Sequence, residues 1–423
     1  MTGPIPSSGR SPSHADGDLI RVSRLDDGLR VVTETMPTVR SVAIGVWVGV
    51  GSRDEPAEAA GVSHFLEHLL FKGSSTRSAR DIARGIDAVG GDLNAFTSKE
   101  YTAFHARVPA WDLEFGLDTL LDVVVDPGFG SDELDAERNV ILEELAWSAD
   151  TPDDLVHQVL AENLFPGHSL GWEVLGSQDT VGSMTVDTVR SFHEQWYRRC
   201  NMVVAVVGPI SHDEIVGRVD TALRSRGGGR TPQRRAPDAD VAPDVVTNRP
   251  IEQAHFARGW RSGGLHSDDR YPLAVATQVL GGGWSSRLFQ EVRETRGLSY
   301  SVFASVGSFV DAGSLSIYAA TAPDRLDELQ AVVDEQLADL AANGPDDDEL
   351  EVARRGFEGA TVLGLEDTGS RMARLASNLL VRDRVVSVDE HLEGVRSVDA
   401  DAVSRVFASV VDGPSTTSIV TPG

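Results

Sequence analysis

Hydrophobic positions along this chain recur with two different periods, and their alternation outlines a mixed fold. Residues 29–34 (Leu-Arg-Val-Val-Thr-Glu) read as a strand. Residues 41–50 form a nearly continuous apolar run, expected to be a second, buried strand. The loop Gly51-Ser52-Arg53-Asp54-Glu55-Pro56 leads into the stretch 61–71. There Val62, Phe65, Leu66, Leu69 and Leu70 follow the i, i+3, i+4, i+7, i+8 spacing of one helix face. Residues 78–89 predict a helix ending at Gly90-Gly91, and residues 94–108 predict strand pairing around a turn. Helices are expected at 111–124, 131–148, 151–163 and 185–196. Ser131 is expected to cap the second of these, and Thr151 with Pro152 to open the third. Residues 202–207 (Met-Val-Val-Ala-Val-Val) predict a buried strand closed by Gly208-Pro209.

The pattern then lapses. Residues 226–250 are rich in Gly, Pro, Arg and Asp without an apolar period, and read as a linker. Beyond it the elements echo the first half: a strand at 254–261, a helix at 271–280, a hairpin-like pair at 299–306 and 313–321, and helices at 326–340 and 347–363. Glu133-Leu134-Asp135-Ala136-Glu137-Arg138 resembles Glu349-Leu350-Glu351-Val352-Ala353-Arg354 at an offset of 216 (349 − 133). A duplication is therefore expected: an α+β protein of two homologous domains, each a mostly antiparallel sheet packed with helices. The division runs as a disordered tail at 1–17, a first domain at 18–225, the linker at 226–250 and a second domain at 251–423.

Composition narrows the partners. A hydrophobic content of 41% supplies substantial cores, while a formal net charge of −27 repels nucleic acid and anionic membranes. That charge serves solubility, or lines an interior that attracts basic peptides. Cys200 is the only cysteine, so neither an intrachain disulfide nor a cysteine zinc cluster can form. Residues 1–17 carry no apolar core and do not read as a signal peptide. No apolar run is long enough to cross a bilayer, and a soluble, cytoplasmic protein is expected.

The polar face of the 61–71 stretch carries the chemistry. His64, Glu67 and His68 lie together there, as H-x-x-E-H, the reverse of the H-E-x-x-H zinc-peptidase helix. A peptidase zinc takes three protein ligands and keeps a position open for water. His64 and His68 supply two, and Glu144 is the candidate third. Glu137 sits seven residues before Glu144 on the same helical face, placed to hydrogen-bond a ligating histidine. Glu143 points about 100° away. Glu67 is left as general base for water attacking a peptide carbonyl. Each residue taken singly also fits a solvated helix face or a salt bridge.

The motifs together resemble the pitrilysin family of zinc peptidases, the inverzincins, and within it the short two-domain branch typified by mitochondrial processing peptidase and its bacterial relatives. The resemblance rests on Gly61-Val62-Ser63-His64-Phe65-Leu66-Glu67-His68, on Glu144 lying 76 positions after His68, and on Gly90-Gly91-Asp92-Leu93-Asn94-Ala95-Phe96-Thr97. In the second half it rests on Leu280-Gly281-Gly282-Gly283-Trp284-Ser285-Ser286-Arg287-Leu288-Phe289, and it spans about residues 20 to 420. It implies two halves facing each other around a chamber, with one Zn2+ per chain on His64, His68 and Glu144 of the first. The second half is then degenerate: it lacks H-x-x-E-H and has Ala360 at the place of Glu144 (144 + 216).

The resemblance further implies that a peptide substrate adds as a strand along Asn94, Ala95 and Phe96. It also implies that Arg293 holds a substrate carbonyl or carboxylate and Tyr300 stabilises the oxyanion, with Arg296 competing for the arginine role. The expected activity is zinc-dependent endopeptidase action on peptides or unfolded segments, by a homodimer or a heterodimer with a related chain. Two alternatives are the catalytic half of a heterodimer with an inactive partner, and a non-catalytic structural subunit. Gly281-Gly282-Gly283 is not followed by Gly-Lys-Ser/Thr, so no nucleotide site is expected. His105, His157, His168 and His193 stand alone and read as structural or solvated.

Overall fold

Runs of β-branched and aromatic residues gather into two sheets in the computed structural model, which describes residues 19–422. The expected tail at 1–17 lies outside the described residues. The first sheet contains β1 (Ile20–Arg24), β2 (Arg30–Thr35), β3 (Ser41–Val48), β4 (Asp92–Thr97), β5 (Thr102–Pro109) and β6 (Met202–Gly208), in the order β1-β2-β6-β3-β5-β4. The second contains β7 (Val245–Asn248), β8 (Ala254–Ser262), β9 (Ser299–Ser308), β10 (Gly313–Thr321) and β11 (Ser415–Thr421), in the order β7-β11-β8-β10-β9. Apart from β1, the two orders match strand for strand. β2–β6 and β7–β11 are parallel, and the other pairings are antiparallel. Arg30 lies opposite Val203 and Val245 opposite Ser418, an offset of 215 on both strands (245 − 30 and 418 − 203). The expected duplication and α+β class are therefore present in the topology.

Several local expectations differ. The stretch read as a linker contains β7, whose four residues are too few to show a period but pair in parallel with β11. Ser131 is the first helical residue and not the cap, which is Gly130. Thr151 does precede the next helix, yet its hydroxyl bonds Trp147 O instead of capping. No sequence expectation covered β1, the helix His212–Ala222, or anything after residue 363. That last region forms the helices Thr368–Arg382, Val388–Arg396 and Ala400–Val411, and then β11. β11 is mostly Ser and Thr, so it lacks an apolar signal despite its burial. Among the described residues, no helix is long and apolar enough to cross a membrane.

Both faces of the first sheet are apolar, which accounts for the continuous run in β3. Val42, Ile44, Val46 and Val48 enter a core with the helices of the first half. Ala43 and Trp47, with Val32, Ala103, Val203, Ala205 and Val207, form the opposite face. That face is covered by Met372, Leu375, Ala376 and Leu379 of helix Thr368–Arg382, from the second half of the chain. Reciprocally, Leu155, Val156, Leu160 and Leu164 of helix Pro152–Leu164 pack on Ala257, Tyr318, Ala320 and Val420 of the second sheet. The two helices begin 216 residues apart (368 − 152). They are thus equivalent elements exchanged between the halves.

A buried ion network joins the halves beside the helix Val62–Leu70. The Arg53 side chain is only 2% exposed and pairs with Glu100 at 2.6 Å and Asp311 at 2.7 Å. Glu100 also accepts from Val310 N at 3.0 Å. Arg234, inside the stretch read as a linker, pairs with Asp54 at 2.8 Å. The next residue, Glu55, accepts hydrogen bonds from the Gly61 and Ser63 backbone N–H groups, at 2.6 and 2.7 Å. It thereby satisfies free donors at the helix N-terminus. Gly61 has φ +91°, and a Cβ there would lie 2.5 Å from Leu175 O, so glycine is required. Burial raises the pKa of Glu55 to about 7, against hydrogen bonds that pull it down.

Two outcomes test this packing. Leu375→Ala, at a fully buried position, is expected to cost about 2–5 kcal/mol in urea denaturation. An unchanged midpoint would show that the exchanged helix does not hold the first sheet. For Glu55, the folded pKa exceeds the unfolded value of 4.5. Its stabilising contribution is therefore complete below about pH 4.5 and disappears as pH rises through about 7. Glu55→Gln removes that slope, so the wild type loses stability relative to the variant between about pH 5 and about pH 8. Parallel pH profiles of the two urea midpoints would contradict it.

Candidate metal centre

The helix Val62–Leu70 buries Val62, Phe65, Leu66, Leu69 and Leu70 as its spacing requires. This leaves His64, Glu67 and His68 on the remaining face. The two imidazoles lie 4.6 Å apart between ring centroids, inclined at 67°. Helix Ser131–Asp150 brings Glu144 to them. Its Oε2 is 3.7 Å from His64 Nε2 and 3.8 Å from His68 Nε2. One donor atom from each of the three residues falls within 4.8 Å of the others, and no other such group of three occurs among the described residues. Ligand atoms about 2.0–2.2 Å from a shared tetrahedral zinc lie roughly 3.3–3.5 Å apart. The two Glu144 contacts are a few tenths of an ångström longer and all three donors lie within 4.8 Å, so the donor set fits that ion once the side chains draw together.

The surroundings prepare the nitrogens for this role. Glu137, two turns before Glu144, accepts from His68 Nδ1–H at 3.0 Å. Its other oxygen pairs with Lys72 Nζ at 2.6 Å. Burial raises the pKa of Glu137, but the bonds from Lys72 and His68 outweigh it and hold the carboxyl below its usual value. With Nδ1–H committed to Glu137, His68 turns Nε2 toward Glu144. Burial, and then the neighbouring His68, lower the pKa of His64 to about 4. His64 is therefore neutral near pH 7, and its approach to Glu144 is not an ion pair. Its Nδ1 is buried without a hydrogen-bond partner, leaving Nε2 as the nitrogen that faces the cluster. Glu143 is solvent-exposed on another side of its helix.

Glu67 stands beside this cluster. Its Oε2 accepts from Thr97 Oγ1 at 2.6 Å. Burial raises its pKa, with the Thr97 bond opposing. Thr97 ends β4, the edge strand of the first sheet. Asn94 and Phe96 are exposed along β4 and Ala95 is half-buried. The Ala95 N–H bonds the Asn94 side chain at 2.8 Å, and Phe96 rests edge-on against Trp47 and Tyr101. A cavity of about 430 Å³ adjoins the cluster, lined by Glu144, Trp147, His157, Trp172 and Glu173 among others.

Arg293 and Tyr300 are brought to each other. The guanidinium lies 4.4 Å from the Tyr300 ring centroid and donates to Tyr300 O at 3.3 Å. Tyr300 is 80% exposed. Among the described residues, no hydrogen bond or ion pair joins either to His64, Glu67, His68 or Glu144. Arg296 is engaged instead with Glu291 and Glu335. Glu55, Lys72 and Thr97 also belong to this site, and the sequence pattern alone gives none of them a role. Thr97 closes the Gly90–Thr97 motif, and Lys72 stands four positions after His68, just past the helix end, but no pattern marks Glu55.

The family model described as insulinase (peptidase family M16) matches residues 30–178, which include all three cluster residues. The model described as peptidase M16 inactive domain matches residues 183–357. An uncharacterized zinc protease of Mycobacterium leprae is 43% identical over 387 residues, covering 90% of this chain and 87% of that protein. The crystal structure of a protease from Helicobacter pylori superposes with a TM-score of 0.90 at 22% identity, over 95% of this chain and 99% of that one. A peptidase M16 inactive domain from Pseudomonas fluorescens gives 0.89 at 21%, over 96% and 98%. At those identities the two structures share the fold. With both halves matched in order and a relative this similar along nearly its whole length, the chain belongs to peptidase family M16.

Proposed function

We propose that this chain is a zinc endopeptidase that hydrolyses peptides or unfolded polypeptide segments. The observation that carries the reading is the convergence of His64, His68 and Glu144, with the carboxylate of Glu67 on the same helix face as the two imidazoles. Relatives named zinc proteases support the identity of the metal. His64 Nε2, His68 Nε2 and a Glu144 carboxylate oxygen would hold one zinc per chain. Bound there, zinc lowers the pKa of water and polarises a carbonyl.

The residues of the chain do the rest. Glu67 takes the proton of the attacking water and returns it to the leaving nitrogen. Its burial supports this role, because a carboxylate with a raised pKa both accepts and gives back a proton more readily near neutrality. Glu137, anchored by Lys72, keeps His68 in the tautomer that presents Nε2. The open edge of β4 at Asn94, Ala95 and Phe96 would receive the peptide as an added strand, through backbone hydrogen bonds that set no side-chain sequence. Only extended segments can add this way, so folded proteins are poor substrates. The second half, with Ala360 in place of Glu144, would enclose the substrate and contribute Arg293 and Tyr300 to its carbonyl. The isolated chain holds the full set of proposed catalytic groups. A reading in which an inactive partner completes the site requires the chain alone to bind zinc but cleave poorly.

The purified chain is expected to contain about one zinc and to cleave a mixed peptide library, with its mass in solution measured alongside. Glu67→Gln keeps the zinc and lowers kcat by about 10²–10⁴-fold. Glu144→Gln loses the zinc. Full activity in Glu67→Gln would remove the base assignment, and normal zinc in Glu144→Gln would point to another ligand.

A further inference from the structure

We infer that Thr97 is a positioning residue that fixes the Glu67 carboxylate relative to the strand β4, so that base and bound peptide share one frame. The inference rests on the peptidase reading above. Glu67 has three side-chain torsions and sits at the rim of a polar cluster. Left to itself, its carboxylate would sample several rotamers. One short hydrogen bond limits this, from Thr97 Oγ1 to Glu67 Oε2 at 2.6 Å. Bonds of this length from a hydroxyl to an ionised carboxylate are charge-assisted and strongly directional. Among the described residues, no other side chain hydrogen-bonds Glu67. The Thr97 backbone also acts on this carboxylate, so both hydrogen-bonding influences on Glu67 come from one residue.

The donor is itself held. Threonine is β-branched, so its χ1 is restricted. Thr97 pairs in register with Thr102, which is fully buried and donates to Val50 O at 3.0 Å. The turn between them carries Glu100, locked to Arg53 and to Val310 N. The hydroxyl therefore projects from a backbone anchored on both sides. A peptide adding to β4 takes its position from that same backbone. Its scissile carbonyl and the base are then registered to one element, which matters because a 1 Å misplacement in a reacting pair costs about 10²-fold in rate.

The test compares Thr97→Val, which keeps the branched shape without the hydroxyl, with Thr97→Ser, which keeps the hydroxyl. In Thr97→Val, kcat is expected to fall about 10- to 100-fold, with KM within about twofold of wild type. Zinc content and thermal midpoint should stay unchanged. Thr97→Ser should recover kcat to within about threefold. In a Glu67→Gln background, Thr97→Val should produce no further loss, since the two residues act as a unit. Crystal structures should show the Glu67 carboxylate displaced in Thr97→Val alone. A wild-type kcat in Thr97→Val would overturn the inference and leave the peptidase reading intact. So would equal losses in both variants, or a change confined to KM, because these point to strand packing or substrate binding. If the wild-type chain cleaves no peptide at all, both readings fall together.

Discussion

A sheet with two apolar faces must be covered twice, and everything else in this molecule is arranged around that requirement. β3 is buried along almost its entire length because alternate residues enter two different cores. The first half has helices for one of those faces. For the other it depends on Met372, Leu375, Ala376 and Leu379, more than 150 residues beyond β6 in the sequence. The second sheet has the complementary need, met by Leu155, Val156, Leu160 and Leu164. Neither face could be left in water, since each buried Leu or Val side chain is worth about 1.5–3 kcal/mol. The relation between the halves is therefore set by core packing, to which the stretch between them adds the Arg234–Asp54 pair and the edge strand β7.

The site inherits its geometry from this arrangement. The helix Val62–Leu70 is seated by its apolar face, which dictates where its polar face points. Its N-terminus is held by Glu55, directly after the two charged residues that reach across the molecule. Arg53 meets Asp311, and Asp54 meets Arg234. The turn after β4 meets the same loop of the second half, through Glu100 and Val310 N. Two separate pieces of the site, the approach to the histidine helix and the end of the edge strand, are thus referenced to residues 310 and 311. A charge as buried as Arg53 is tolerable only while its partners are present, since losing one strands it in a low-dielectric interior. The second half contributes to the site's geometry by keeping these charges satisfied.

Legibility in the sequence followed the range of the interactions. The histidine helix could be read because periodicity and motif coincide within nine residues. Glu137 and Glu144 could be read because seven residues on a helix return to one face, and both reach the imidazoles as that spacing implies. The duplication could be read from one repeated hexapeptide, and the strand orders agree with it. The exchange of helices could not. An amphipathic pattern says that Thr368–Arg382 needs a surface, without saying whose. Glu55 was equally silent, because its partners are backbone N–H groups, which leave no trace in residue identity. Arg53 and Asp311 are 258 positions apart and carry no periodic relation. Arg293 and Tyr300 show the opposite case. They were named for a shared substrate and not for each other, and in the structure the two side chains meet.

The divergence of the two copies can be stated in the same terms. In the place of the histidine helix, between β8 and β9, the second half has Arg270–Gly281, which buries eight of its twelve residues, most of them apolar. Where the first copy spends a helix face on imidazole and carboxylate, the second spends it on packing. The first copy retains groups that a core would reject. His64 Nδ1 is buried without a partner, and Glu55 and Glu67 have pKa values raised by burial. Such features cost stability and persist where surrounding structure holds them in place. Here that structure includes the other copy, with its exchanged helix and the Val310–Asp311 loop. The absence of H-x-x-E-H from one half and the presence of unfavourable polar groups in the other are then linked. A copy without the histidine cluster is free to pack as the support on which the copy that carries it relies.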